Sequence, residues 1–193
     1  MEENKLVTVV DDLLQERRLA GNSIKWANWM SELSLHTCQK CIDNHGKIVE
    51  ASSVLLLRTE VAVNIHTNCR CKWVRMRTKQ AGKATSAGKD GADFSLFYNR
   101  ILPDCYITKK QAVEQGWISK KRNLAKVCPN KMIGGDLYNN DEYKLPSVSG
   151  RVWYEADINY NGGFRNRQRI IYSNDGLIFV TYDHYQTFYE ITA

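Results

Sequence analysis

Apolar residues in the first part of the chain recur at helical spacing. One stripe, at positions i, i+3, i+4, i+7 and i+8, consists of Leu6, Val9, Val10, Leu13 and Leu14. It predicts an amphipathic helix that ends near Gly21. A second stripe, preceded by possible N-caps at Asn22 and Ser23, consists of Trp26, Trp29, Met30 and Leu33. The chain is therefore expected to begin with a small helical segment.

The pattern changes from helices to strands further along the chain. One helix is expected from the stripe Phe94, Phe97, Tyr98 and Ile101. Another is expected to open at Thr108, which has capping-box spacing to Gln111, and to close near Gly116. From residue 151 onward, polar and apolar positions alternate with the period of two that is typical of a strand. Further strands are expected at 169–173, 177–182 and 187–191, with a hairpin turn at 174–176. This order predicts an α+β domain whose N-terminal helices pack on an antiparallel sheet of about five strands.

A stretch of small residues separates the two halves of the chain. Residues 81–93 contain three glycines and no large apolar side chain, which is typical of a linker. We therefore expect a helical, Cys/His-rich module at 1–80, a linker at 81–92 and a second domain at 93–193.

The formal net charge is +6, and most of the basic surplus falls in residues 71–100. A basic segment can attract a polyanion through counterion release, although a solvated linker can carry the same residues. The sequence has no run of eighteen apolar residues, and its first residues lack the features of a signal peptide. We expect no membrane span and synthesis in the cytoplasm, with export, if it occurs, by a signal-less route or inside a phage particle.

The expected strand at 151–160 places a glutamate close to several cations. Glu155 shares one strand face with Arg151, and three arginines follow between residues 165 and 169. His184 is the only histidine after residue 66. A carboxylate and an imidazole can carry out the two proton transfers of RNA transesterification, while fixed cations stabilise charge on phosphorus. Each residue alone has an ordinary structural explanation, but together they favour metal-free cleavage of RNA.

Several separated segments extend this interpretation. They are residues 102–108, 116–117, 121–125, 133–136 and 144–146, and the motifs around Glu155, Arg165 and His184. From about Asp90 to its end, the chain resembles the bacterial, barnase-like branch of the guanyl-specific microbial ribonucleases. The resemblance implies an endoribonuclease that cleaves single-stranded RNA 3′ of guanosine and leaves a 2′,3′-cyclic phosphate.

The resemblance also implies roles for individual residues. Glu155 would be the general base and His184 the general acid. The cations that stabilise the phosphorane would be Lys121, Arg151 and Arg165. Arg151 would also keep Glu155 ionised, because a nearby cation lowers the pKa of a carboxyl group. Asp157 would be structural and would pair with Arg165 and Arg169.

Recognition of the base is expected in residues 137–142. Loop N–H groups would meet guanine O6, the carboxylate of Glu142 would accept from N1–H and N2–H₂, and tyrosines would stack on the ring. The expected substrate-binding residues are Tyr138, Asn139, Asn140, Glu142 and Tyr185. Asp141 and Tyr143 stand where the family has arginine and glycine, so guanine preference is less firmly implied than ribonuclease activity. Tyr143 would also strain its turn if the position needs a positive φ.

The N-terminal half contains a pattern of metal ligands. Cys38 and Cys41 form a C-x₂-C pair, and a second cluster follows within residues 66–71. The candidate zinc ligands are Cys38, Cys41, His66, Cys69 and Cys71, with His36 and His45 less favoured. This spacing suits a structural tetrahedral zinc site, whereas one or two disulfides are the alternative in an oxidising compartment. Catalysis itself is expected to need no cofactor.

Residues 26–73 also resemble the cysteine-rich end of phage head-morphogenesis proteins, in which a C-x-x-C precedes a basic H-x-N-C-R-C run. This resemblance implies docking to a phage head or to secretion machinery. We therefore expect a toxin effector that acts on RNA and has an acidic, barstar-like inhibitor or immunity protein as partner. The rival hypotheses are a non-enzymatic phage structural or RNA-binding protein and a zinc-dependent nuclease that uses the cysteine site.

Overall fold

The computed structural model describes residues 26–31, 37–50, 60–62 and 66–193. The helix expected over residues 6–14 lies outside this part of the chain. The chain forms two compact units. The described residues of 22–77 and the segment 140–150 form the N-terminal unit, and residues 78–139 and 151–193 form the C-terminal unit. None of the helices in the described residues has the length and apolar character needed to cross a bilayer.

The N-terminal unit contains a four-stranded antiparallel sheet with the order β2-β1-β4-β3. Its strands are β1 (Trp26–Met30), β2 (Ile48–Glu50), β3 (Glu60–Ala62) and β4 (Lys72–Arg75), and one short helix, α1 (Gln39–Asn44), lies between β1 and β2. The prediction of a second helix beginning at Trp26 is therefore wrong, because residues Trp26–Met30 form strand β1. Trp29 lies opposite Trp73 in the sheet, and the two rings meet edge to face at 5.1 Å. Four apolar residues at mixed spacing fit a buried strand as well as a helix, and cross-strand pairing decides between the two.

The C-terminal unit is built on a seven-stranded sheet with the order β5-β11-β10-β9-β8-β7-β6. The strands are β5 (Thr78–Gln80), β6 (Tyr106–Ile107), β7 (Met132–Tyr138), β8 (Trp153–Asp157), β9 (Arg169–Ser173), β10 (Ile178–Thr181) and β11 (Tyr189–Thr192). Five strands, β7 to β11, pair antiparallel, whereas the short edge strands β5 and β6 pair in parallel with β11 and β7. The α+β class is confirmed, with more strands than expected.

Three α-helices of the described residues belong to the C-terminal unit. They are α2 (Ala92–Asn99), α3 (Lys109–Glu114) and α4 (Leu124–Val127), with 3₁₀ turns at Gly88–Asp90 and Ser119–Lys121. The capping box at the start of α3 is confirmed: the Thr108 side chain accepts from the Gln111 N–H, and the Thr108 N–H donates to Gln111 Oε1. Leu96 of α2 packs into the main core with Ala156, Ile170 and Val180 of the sheet. A smaller core joins α3 and α4 to β7.

Residues 81–92, expected to be a linker, are packed into the C-terminal unit. Ala81 and Ala84 are buried in its main core. The buried carboxylate of Asp93 accepts hydrogen bonds from the backbone N–H groups of Gly82 and Ala84 at 2.7 and 2.9 Å. A Cβ at Gly91 would lie 1.9 Å from Thr85 Oγ1, so that glycine makes room for packing. Among the described residues, the C-terminal unit therefore begins at β5, before the expected boundary.

Candidate active site

Glu155 lies in the middle of β8, between β7 and β9, where it faces Asp136 on one side and Ile171 on the other. Only 8% of the residue is exposed. A carboxylate this deeply buried needs hydrogen-bond donors and positive charge nearby, because burial penalises its ionised form.

Two side chains from other elements supply the donors. Lys109 Nζ lies 2.6 Å from Glu155 Oε1, and the hydroxyl of Tyr185 donates to Oε2. Burial raises the pKa of Glu155, but the hydrogen bonds from Lys109 and Tyr185 and the charges of Lys109 and Arg165 outweigh it and hold the pKa below the ordinary value. Glu155 is therefore ionised at neutral pH. Burial and the adjacent Glu155 raise the pKa of Tyr185, so its hydroxyl remains a donor.

Lys109 is held in place at both ends. It is the first residue of α3, immediately after the Thr108 cap, and its backbone N–H lies 3.0 and 3.2 Å from the two carboxylate oxygens of Asp136 on β7. Its side chain is 42% exposed, so the ammonium group reaches Glu155 from the solvent side.

Arg165 is fixed by a buried aspartate. Asp157 at the end of β8 is fully buried and accepts two hydrogen bonds from the Arg165 guanidinium, each 2.7 Å long. Arg169 Nε lies 3.0 Å from Asp157 but is not aligned for a hydrogen bond, so this contact is an ion pair. Burial lowers the pKa of Arg165, but the carboxylates of Asp157 and Glu155 reverse the shift. The pairing of Asp157 with both arginines, expected from the sequence, is confirmed.

An open cavity of about 550 Å³ lies beside these arginines. It is lined by Arg165, Asn166, Arg167, Arg169, Asp183, His184 and Gln186. His184 is exposed and has a φ of 61°, and its backbone N–H donates to Arg167 O at 3.0 Å. The Asp183 carboxylate accepts from the backbone N–H groups of Gln186 and Thr187 and so braces the turn. The turn presents an imidazole to a positively charged cavity that can hold a phosphate.

Tyr185 connects this region to a second aromatic ring. Its ring stacks on Tyr138 at the end of β7, with centroids 5.3 Å apart and planes 24° from parallel. It also lies 4.8 Å from the His184 ring.

A family model described as ribonuclease matches residues 78–192, which is more than half of the chain. The chain belongs to this ribonuclease family. A ribonuclease from Heyndrickxia coagulans is 58% identical over 100 residues, which cover 52% of this chain and 91% of that protein. Ribonucleases from Bacillus intermedius and Bacillus pumilus are also 58% identical over 100 residues, and the match covers 61% of each of those proteins.

The structure brings together some of the expected catalytic residues of this ribonuclease and not others. Glu155 and Arg165 are close enough to shift each other's pKa, and Arg165 and His184 line one cavity. Arg151 instead makes a two-nitrogen contact with Asp175, at 2.7 to 3.0 Å. Lys121 is exposed at the end of a 3₁₀ turn. The lysine that forms an ion pair with Glu155 is Lys109.

Sequence reasoning missed Lys109. The position of Lys109 in the sequence could have indicated a role in the site, because it directly follows residues 102–108, a segment that resembles the family. The first residue after an N-cap projects from the start of its helix, and here that start faces β7 and β8.

The expected base-reading residues of the ribonuclease fall in both units. Tyr138, Asn139 and Tyr185 belong to the C-terminal unit, whereas Asn140 and Glu142 belong to the N-terminal unit. Asn139 and Glu142 are exposed and Asn140 is buried. Glu142 forms an ion pair with Lys144 at 2.6 Å. Tyr143 has a φ of 50°, so the strained turn that its replacement of glycine suggested is present.

Five side chains of the N-terminal unit come together as the sequence predicted. The ligand atoms of Cys38, Cys41 and His66 lie within 4.8 Å of one another, and so do those of Cys41, Cys69 and Cys71. His66 Nε2 lies 3.4 Å from Cys38 Sγ and 3.1 Å from Cys41 Sγ, while its Nδ1 lies 2.8 Å from Thr67 O. The structure records no disulfide among the described cysteines. A second hydrogen bond that orients the ring is typical of histidine ligands, and this donor set suits zinc.

Proposed function

We propose that this ribonuclease is an endoribonuclease that cleaves single-stranded RNA on the 3′ side of guanosine by transesterification. The observation that carries the proposal is a buried, ionised Glu155 beside an arginine-lined cavity to which His184 is exposed. Such a site can remove one proton, donate another and stabilise the phosphate between them.

The chemistry would proceed on groups that the RNA supplies. Glu155 would take the proton of the ribose 2′-hydroxyl, and the 2′-oxygen would attack phosphorus as the bond to the 5′-oxygen breaks. His184 would protonate that leaving oxygen, so that the products are a 2′,3′-cyclic phosphate and a free 5′-hydroxyl. Because the 2′-hydroxyl is the nucleophile, DNA would not be cleaved.

Cations would stabilise the charge that builds up on the equatorial phosphate oxygens. Arg165 fits this role because Asp157 fixes its guanidinium before substrate binds, which avoids reorganisation during the reaction. Lys109 fits a second role at Glu155, since its charge favours the ionised base. We therefore assign to Lys109 the position that the sequence resemblance gave to Lys121, and we assign Arg151 a structural role with Asp175.

Guanine preference would arise from the loop and the stacked tyrosines. Tyr138 and Tyr185 offer flat faces to an unpaired base. Glu142 would accept from guanine N1–H and N2–H₂ after it exchanges Lys144 for the base, while Asn139 and Asn140 would help to shape the loop. Asp141 beside Glu142 adds negative charge, which would weaken the attraction of RNA.

The N-terminal cysteines would hold one structural zinc ion. We propose that four ligands come from Cys38, Cys41, His66, Cys69 and Cys71. Native mass spectrometry of the full chain should show one zinc per molecule, and Cys41→Ser should lose it, because Cys41 belongs to both ligand clusters.

We further propose that the protein is a toxin effector. An active ribonuclease harms its own cell, so a producing cell would need an inhibitor, and an acidic, barstar-like protein would complement the arginine-lined cavity. The cysteine-rich unit would then serve delivery through a phage head or secretion machinery.

The first test is cleavage of a short RNA that contains a single guanosine, in EDTA, with product ends identified by mass. We expect a 2′,3′-cyclic phosphate on that guanosine. Intact RNA in EDTA, with cleavage restored by zinc, would move the chemistry to the cysteine cluster. Intact RNA under both conditions would favour a structural or RNA-binding protein.

A further inference from the structure

The segment 140–150, which we name the base loop, has a built-in shape. The buried side chain of Asn140 donates to Leu145 O at 2.9 Å and accepts from Leu145 N at 3.0 Å. The Tyr143 N–H donates to Asn140 O at 2.8 Å, and both Asn140 and Tyr143 have positive φ. These bonds close the loop on itself, and Leu145 is left only 2% exposed.

The base loop is also attached to the N-terminal sheet. The backbone N–H of Ile48, the first residue of β2, donates to Lys144 O at 2.6 Å. β2 is an edge strand, paired with β1 on one side, and the Lys144 carbonyl meets an N–H at its start. Ile48 is 2% exposed, so this contact is shielded from water. The base loop is therefore held by a strand of the unit to which it belongs.

The attachment point lies close in sequence to the cysteine cluster. Cys41 is on α1, and the chain passes from α1 through a turn at His45 and Gly46 directly into β2. Ser31 Oγ donates to Cys41 O at 2.6 Å, and the Ser31 N–H donates to His45 Nδ1 at 3.1 Å. The Gly46 N–H in turn donates to Trp29 O at 2.8 Å. The same bonds that position Cys41 thus position the start of β2.

We propose that the N-terminal unit is a specificity-determining support for the base loop, and that zinc held by its cysteines sets the affinity for guanine while the chemistry itself stays metal-free. Metal binding supplies much of the folding free energy of small cysteine-rich modules. Loss of zinc therefore loosens α1 and β2, releases the Ile48–Lys144 hydrogen bond and leaves the base loop without its outer support. The inference rests on the proposed function for the zinc ion and for the role of the base loop in binding guanine.

The first test compares the full-length protein loaded with zinc and stripped of it by chelation. Two quantities are measured: hydrogen exchange of the Tyr143 and Leu145 amides without RNA, and kcat and KM for guanosine- and adenosine-containing dinucleotides. Chelation should speed exchange in the base loop and raise KM for the guanosine substrate roughly tenfold, on the order of one or two lost hydrogen bonds. The value of kcat should stay within about twofold, and discrimination against adenosine should fall.

The second test removes the bond without touching the metal ligands. Ile48→Pro lacks the N–H donor, and Ile48→Ala is the matched control that loses side-chain bulk but keeps the donor. With zinc bound, the proline variant should reproduce the KM increase and the fast loop exchange, and the alanine variant should stay close to the parent protein.

The two ideas fail in different ways. Unchanged loop exchange and unchanged KM after chelation of the parent protein would overturn the support role, whether or not Ile48→Pro folds. Zinc-dependent loop exchange in a protein that cleaves no RNA would sustain the structural coupling and reject the proposed function instead.

Discussion

Replacing Lys109 with methionine gives the sharpest test of the site geometry. The change removes the ammonium group that lies 2.6 Å from Glu155 Oε1 but keeps an apolar side chain of similar length. A charge-assisted hydrogen bond is worth about 1.5–3 kcal/mol, and about 1.4 kcal/mol corresponds to one pKa unit. Because the Lys109 side chain is 42% exposed, solvent screening favours the lower end. Loss of this hydrogen bond and charge should therefore raise the pKa of Glu155.

The sign of the effect follows from the role of the base. As the proposed general base, Glu155 acts only when it is ionised, so a higher pKa leaves it protonated up to a higher pH. The acidic limb of the pH profile of kcat/KM, which reports the free enzyme, should move to higher pH. The plateau should fall as well, since the charge beside the phosphate is lost.

The assay is the pH dependence of kcat/KM for a guanosine dinucleotide, with Lys110→Met as the exposed neighbouring control. Lys121→Met separates the two candidate lysines and should leave the limb in place. The assignment of Lys109 would be refuted if the acidic limb of the kcat/KM profile shifted in the Lys121→Met variant and stayed in place in the Lys109→Met variant.

Three further predictions concern the proton transfers and the fixed arginine. Glu155→Gln should lower kcat by about 10²- to 10⁴-fold, the usual contribution of a general base, with circular dichroism unchanged. His184→Ala should cause a similar loss by removing the general acid, and full activity of either variant would contradict the mechanism. Asp157→Asn should destabilise the fold by about 3–5 kcal/mol, because it leaves Arg165 and Arg169 without their buried carboxylate. Thermal unfolding would then begin roughly 10 °C lower, and an unchanged midpoint would show that the ion pairs contribute little.

The part of the fold that the sequence predicted well depends on local signals. The capping box at Thr108 is a two-residue pattern that acts within one turn, and α3 starts where it predicts. The expected strand at 169–173 coincides with β9, and the turn at 174–176 places Gly176 at a φ of 89°. Turn chemistry and alternation are written in neighbouring residues, so a single sequence carries them.

Long-range pairing explains where prediction failed. The segment at Trp26–Met30 becomes a strand because β2 and β4 pair with it, and those partners lie about 20 and 45 residues away. The expected linker is ordered for a similar reason, since its alanines fill a core and its N–H groups meet Asp93. Small residues that suggest flexibility in sequence also permit close packing.

The candidate site divides in the same way. Glu155, Arg165 and His184 could be named from sequence because each lies in a motif matched to the family. Lys109 comes from α3, more than forty residues before Glu155, and only the three-dimensional packing of α3 against β7 and β8 shows their contact.

The parallel pair of β5 and β11 has a consequence for the time course of folding. Thr78 lies opposite Glu190, so the sheet joins strands more than one hundred residues apart. The hairpin of β9 and β10 can form early because the two strands are adjacent in the chain. The pairing of β5 with β11 can form only after most of the intervening chain has folded, because it closes a loop of more than one hundred residues. We therefore expect the edge strand β5 to join the sheet of the C-terminal unit slowly, after the hairpin of β9 and β10 has formed.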